Sequence, residues 1–278
     1  MTIPDKNRDH EAHWNRPLWV SLWIFFALVL LLALVARLPA SLVLTGIDRW
    51  GGLPDTITWG EAYGSVWNGG IEGLQTPGGQ LGGMSWEFRP RELLHGGLAA
   101  AIQWHPPGGD IRGNLRLDGG NLELYAVEGS LLAATLNQWD TGIPLVLDGR
   151  LYTNSLQLRI DRDGAVESAS GRISWQNAAA GLQRPVPLGE QRAGIHEKAQ
   201  GLKIDLYSAP NAELGITGTV QLNLKTRPPA VDARISLQPR AHADLAITQF
   251  LENNPDRDDQ GRYLWTTGPA PSKAQIAR

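Results

Sequence analysis

The chain has 278 residues, no cysteine, a net charge of −3, and 11 tryptophans among 32 glycines and 18 prolines. Without cysteine, disulfides and thiolate metal sites are excluded, and without a basic excess there is no electrostatic footprint for nucleic acid. A chain this long buries a substantial core as one or two domains.

The N-terminal residues 1–17 are polar and too short to form a domain. Leu18 to Ala36 then reads LWVSLWIFFALVLLLALVA, 19 residues without a charge. About 20 apolar residues cross a ~30 Å hydrocarbon core as a helix, whereas the apolar core of a cleaved signal peptide is usually ~7–15 long. The segment Arg37-Leu38-Pro39-Ala40-Ser41 also lacks a well-spaced cleavage site, so the run is expected to stay as a transmembrane helix, residues 18–36. Lys6, Arg8 and Arg16 before it, against Arg37 and Arg49 just after it, favour a cytoplasmic N-terminus. Trp14, Trp19 and Trp23 then fall at the cytoplasmic interface, and residues 37–267 form a periplasmic domain.

Between Pro39 and Trp50, Val43, Ile47 and Trp50 share one face of a short helix that Gly51 and Gly52 end. That stripe packs on the following domain or lies on the membrane surface. From Ile57 to Leu237 the pattern changes to period two: Asn114–Leu117, Asn121–Tyr125, Leu156–Ile160, Leu202–Leu206 and Val220–Leu224 alternate apolar and polar residues. Asp118-Gly119-Gly120-Asn121, Asp148-Gly149, Asp161–Gly164 and Ala209-Pro210-Asn211 read as turns between these runs, and Gly78–Gly83 reads as a hairpin loop. The fold class is therefore mainly β: one N-terminal transmembrane helix, then an antiparallel β-rich domain with one or two short helices, as a curved sheet, sandwich or open barrel. Pro185 to Gln200, with charges of both signs around Gly189 and Gly194 and matching none of these patterns, reads as an insertion or flexible loop.

Near the C-terminus, Ala243, Ile247, Phe250 and Leu251 share a helical face, Asp244 sits in the first turn, and Asn253, Asn254 and Pro255 stop the helix. Tyr263-Leu264-Trp265 follows as a short strand, and residues 268–278 read as a flexible tail.

Catalytic signatures are missing: no G-x-S-x-G, H-E-x-x-H, P-loop or dinucleotide fingerprint occurs. Glu87, Glu123 and Asp205 are the carboxylates a hydrolase would draw on, but their spacing does not define a pair. His10 and His13, three apart in the polar N-terminal tail, make at best a weak metal site, and His95, His105, His196 and His242 are isolated. Asp161-x-Asp163-Gly164 lacks the later ligands of a calcium loop. No catalytic, cofactor or metal residue is assigned, and no cofactor is expected.

The tryptophans carry the most specific pattern. Leu38-Pro39-Ala40 follows the apolar run; Gly64-Ser65-Val66-Trp67-Asn68-Gly69, Trp86-Glu87-Phe88-Arg89-Pro90-Arg91-Glu92-Leu93-Leu94-His95-Gly96 and Gly171-Arg172-Ile173-Ser174-Trp175 come later in that order. With these motifs the chain resembles the type II secretion system protein N family of Gram-negative inner membranes over roughly Leu18 to Trp265. On residue chemistry, Trp67, Trp86 and Trp175 each bring a large ring and an N–H that needs an acceptor, so they are expected to fix sheet register. Pro90 begins a turn or short helix in which Leu93 and Leu94 cap one end of the sheet.

The resemblance implies a non-enzymatic inner-membrane component of a type II secretion system that supports export of folded proteins from the periplasm, with the other inner-membrane platform subunits and the membrane as partners. A second expectation comes from the alternation itself: a curved sheet with an open apolar face is suited to lipid, and a second layer closing that face argues against it.

Overall fold

The computed structural model describes residues 16–49, 57–95, 97–139, 145–162, 164–198, 201–224, 230–253, 256–258 and 260–267, with side chains of 16–21, 32, 43, 47–49 and 93–95 excepted. The tail 268–278, Trp50, Asp163, Asn254 and Pro255, and the side chains of Val43, Ile47, Leu93 and Leu94, lie outside the described residues.

The apolar run is helical. Helix α1 (Arg16–Ala36) is 21 residues long, about 31 Å at 1.5 Å per residue. Among the described residues no helix is long and apolar enough to cross a membrane. Leu22, Trp23, Ile24, Phe25 and Phe26 are 57–66% exposed. Helix α2 (Ala40–Arg49) follows after Pro39 and packs beside the first strand, with Ala40 buried.

Thirteen strands follow among the described residues. They are β1 (Glu61–Gly64), β2 (Asn68–Thr76), β3 (Gly79–Phe88), β4 (Leu98–His105), β5 (Gly109–Asp118) and β6 (Asn121–Leu132), then β7 (Val146–Ile160) and β8 (Val166–Gly181). The series closes with β9 (Val186–Lys198), β10 (Gly201–Ser208), β11 (Leu214–Asn223), β12 (Ala230–Pro239) and β13 (Tyr263–Thr267). Every neighbour pair is antiparallel and spatial order equals chain order, so the domain is one open meander sheet. The sandwich and barrel alternatives are thereby set aside. A 3-10 turn at Pro90–His95 links β3 to β4, and a one-turn helix α3 (Ala133–Leu136) follows β6.

The alternating runs fall on strands because one face is apolar and the other polar. Leu98, Leu117, Leu122 and Ile160 stand in register across β4, β5, β6 and β7 on the apolar face. Arg116, Glu123 and Arg159 stand one position away on the polar face. Long strands keep this division through bulges, where two residues oppose one. Ala126, Ser155 and Asn177, all with left-handed backbone, lie at register shifts in β6, β7 and β8. At the first of these the apolar phase steps from Leu124 to Val127, directly opposite Leu156.

Two turn expectations need correction. Asp148-Gly149 lies inside β7, where Gly149, with a φ of 97°, is the single residue opposite the bulge that Asn177 and Ala178 form in β8. The Gly78–Gly83 loop is narrower than expected: the turn is at Pro77-Gly78, and Gly79 onward belongs to β3. By contrast Gly119 and Gly120 form a two-residue hairpin, with φ of 55° and 92° as a type I′ turn requires.

Pro185–Gln200 is corrected as well: most of it is β9, paired on both sides. Helix α4 (Leu245–Glu252) forms where expected, with the Asp244 carboxylate accepting from the Ala246 N–H at 2.8 Å as its cap. Ile247 and Leu251 pack with Leu214, Leu237 and Tyr263 to form a buried apolar cluster. Two residues depart from the expected face: Ala243 precedes the cap and lies outside the helix, and Phe250 is 60% exposed.

Candidate interaction surface

The indoles tie segments together through their N–H groups. Trp67, in the turn between β1 and β2, donates to the Val35 carbonyl in the last turn of α1 at 2.9 Å, and its ring meets Phe88 edge-on at 5.0 Å. Trp86 donates to the Val66 carbonyl at 2.9 Å, and the Val66 N–H donates to the Leu38 carbonyl at 3.0 Å. Pro39 also bridges to Ser65. The end of α1, the step Leu38-Pro39 and the first strands are thus one bonded joint. Trp175 donates to the Asp148 carbonyl at 2.9 Å, fixing β8 against β7 beside the β8 bulge. The expected register-setting role of Trp67, Trp86 and Trp175 is what these bonds provide.

Two further tryptophans act in the same way without having been singled out in the sequence. Trp104 and Trp139 stack at 5.8 Å and donate to the Leu81 and Gln80 carbonyls. The ends of β3 and β4 and the segment after α3 are held by this pair. Neither lies in a glycine-flanked motif, which is why the pattern of the other three did not mark them.

The polar face carries cross-strand charge pairs. Arg112 meets Glu128 at 2.9 Å and Arg159 meets Glu123 at 3.4 Å. Asp205 receives Lys203 at 2.9 Å and the Thr219 hydroxyl at 3.1 Å, with His196 at 3.7 Å. The hydrogen bond from Lys203 is the largest influence on that carboxyl; with Thr219 and the nearby cations it outweighs desolvation and holds Asp205 below the usual carboxylate range. A shallow depression of about 620 Å³ opens on this face, lined by Asp110, Arg112, Glu128, Tyr152 and Arg172 among others.

The three candidate carboxylates are not brought together. Glu87 is on β3, Glu123 on β6 and Asp205 on β10, so at about 4.8 Å per strand they lie roughly 14 and 19 Å apart across the sheet. A hydrolytic pair needs ~5–10 Å. Among the described residues no three His, Asp or Glu side chains gather as a metal site. His105 faces Asp110 at 3.5 Å and His242 is exposed.

The sheet ends in two short edges, β1 with four residues and β13 with five. Trp265, on β13 opposite Ile235, is 53% exposed, and Val231 on β12 lies beyond the last β13 pairing and is 45% exposed. Short edges limit uncontrolled strand pairing, while the exposed side chains offer a contact.

What these features define is a single-layer β scaffold, bonded at one end to an apolar helix and built to present faces and edges. Residues 55–266 match the family model described as "Type II secretion system (T2SS), protein N", and the chain belongs to that family. Two relatives carry the name Type II secretion system protein N. One, from Klebsiella pneumoniae, is 28% identical over 257 residues, covering 88% of this chain and 94% of the relative. The other, from Vibrio cholerae, is 25% identical over 245 residues, covering 86% and 94%. No solved structure matches the chain.

Proposed function

We propose that the protein is an accessory component of the inner-membrane platform of a type II secretion system, acting by contact and not by catalysis. Helix α1 anchors it as a single membrane span with the N-terminus in the cytoplasm, and the sheet stands in the periplasm. Membership of the protein N family carries the reading. The joint at Val35, Trp67 and Trp86 supports it physically, because a helix bonded to the sheet transmits membrane position to the surfaces that meet other subunits. Those surfaces are the edges β1 and β13 and the charged face.

A pull-down of the tagged full-length protein from its native membrane in mild detergent tests this, with proteins and lipids identified in the same sample by mass spectrometry. Platform subunits are expected in the eluate, and deletion of the protein is expected to leave exoproteins in the periplasm or to weaken the assembly. Normal secretion together with an eluate free of platform subunits would sink the reading.

A further inference from the structure

The apolar face of β4–β8 has no second layer among the described elements. Helix α4 packs at the far end of the sheet, against β11, β12 and β13, and α3 with Trp139 sits over one end of the middle strands. Leu98 and Leu117 are 43% and 39% exposed, and Leu124, Leu156, Leu158 and Ile173 are half-buried, shielded by neighbours in the same layer. Register places no charged side chain on this face between Leu98 of β4 and Trp175 of β8. Five strands at about 4.8 Å spacing and ~8–10 residues of ~3.3 Å rise give roughly 600–800 Å² of apolar face.

The position of this face indicates what covers it. Phe88, opposite Ala100 of β4, begins the apolar face and touches Trp67, whose indole holds the last turn of α1. The apolar surface of α1 therefore continues, through Trp67 and Phe88, into the apolar face of the sheet. Aliphatic side chains with no charge and few polar groups suit a partner that is itself a hydrocarbon chain. We propose that β4–β8 bind acyl chains of phospholipid from the membrane in which α1 sits, admitted at the Trp67–Phe88 joint. This inference rests on α1 being the membrane anchor.

The test uses the full-length protein reconstituted in vesicles of phosphatidylethanolamine and phosphatidylglycerol that contain a phospholipid with a photoreactive acyl chain. After irradiation, adducts are mapped residue by residue. Adducts are expected both on α1 and on apolar-face residues such as Leu124, Leu158 and Ile173. Substituting the opposed pair Leu124→Asp and Leu158→Asp is expected to cut the sheet adducts about tenfold, since a charge there must be desolvated, and to leave those on α1. Arg159→Ala, on the polar face, changes neither. Adducts confined to α1 overturn the proposal and leave the anchor standing, whereas their absence from α1 overturns the anchor and the proposal together. A Leu158→Cys chain that bridges to a second copy, with no sheet adducts, shows the face to be a dimer contact and also overturns the proposal. Mapping on the unaltered chain decides the matter even if the double variant fails to fold.

Discussion

Replacing Trp67 by phenylalanine keeps a ring beside Phe88 and removes the N–H that reaches the Val35 carbonyl. One hydrogen bond is worth about 1 kcal/mol net, so Trp67→Phe is expected to lower the thermal midpoint of the full chain in detergent by about 2–4 °C. Trp86→Phe, which frees the Val66 carbonyl, should act similarly. A second residue-level outcome concerns pH. The folded state holds the Asp205 carboxyl below its ordinary value, chiefly through the Lys203 hydrogen bond, so its contribution to stability is complete above the unfolded carboxylate value of about 3.9. It is lost as pH falls through the lower folded value. The midpoint of the unaltered chain should therefore fall more steeply on acidification below about pH 4 than that of Asp205→Asn, in thermal scans from neutral pH downward. Trp67, Trp86 and Trp175 could be read from sequence because each sits among glycines and because an indole must find an acceptor. Trp104 and Trp139 could not, since their stacking joins residues 35 apart that no local pattern connects.

At the scale of elements, α4 offers a sharp contrast between neighbours. Leu251 is 1% exposed and Phe250 is 60% exposed, so Leu251→Ala is expected to cost about 2–5 kcal/mol and Phe250→Ala less than about 0.5 kcal/mol. Limited proteolysis and thermal denaturation of the two variants check this. Helical spacing put both on one face, but a helix of two turns over a sheet edge buries only a narrow stripe, the i, i+4 pair Ile247 and Leu251. The same physics explains β9. Its positions facing the apolar side include Gln191, Ala193 and Ile195, of which only the last is strongly apolar, so alternation is hidden. Gln191 is nonetheless buried, donating to the Leu188 and Leu214 carbonyls and accepting from the Ser208 hydroxyl. Asp148-Gly149 misled for a different reason: a hairpin turn and a strand position facing a bulge can both hold a left-handed glycine, and only the pairing of β7 with β8 tells them apart.

For the whole molecule, the absence of cysteine makes any introduced thiol unique. With the proposed orientation, Ser174→Cys on the polar face of β8 should react with a membrane-impermeant maleimide in cells whose outer membrane has been permeabilised, and Thr2→Cys should not. Labelling of Thr2→Cys alone would reverse the orientation. The mainly β, antiparallel character of the chain was legible, because period-two runs and glycine turns are local signals. That the strands make one open sheet was not, because the same alternation serves a sandwich or a barrel, and only pairing distinguishes them.

Spatial order equal to chain order also bears on how the protein is made. Each new strand needs only the one just before it, so contacts are short in sequence and the loop-closure cost that slows most all-β domains is small. A chain delivered N-terminus first can lengthen the sheet one hairpin at a time, each strand capping the exposed edge of the last. The Trp67 and Trp86 joint would form first and serve as the template. The buried cluster of α4 and β11–β13 would form after the other strands, so the growing edge is the last part of the sheet to be sealed.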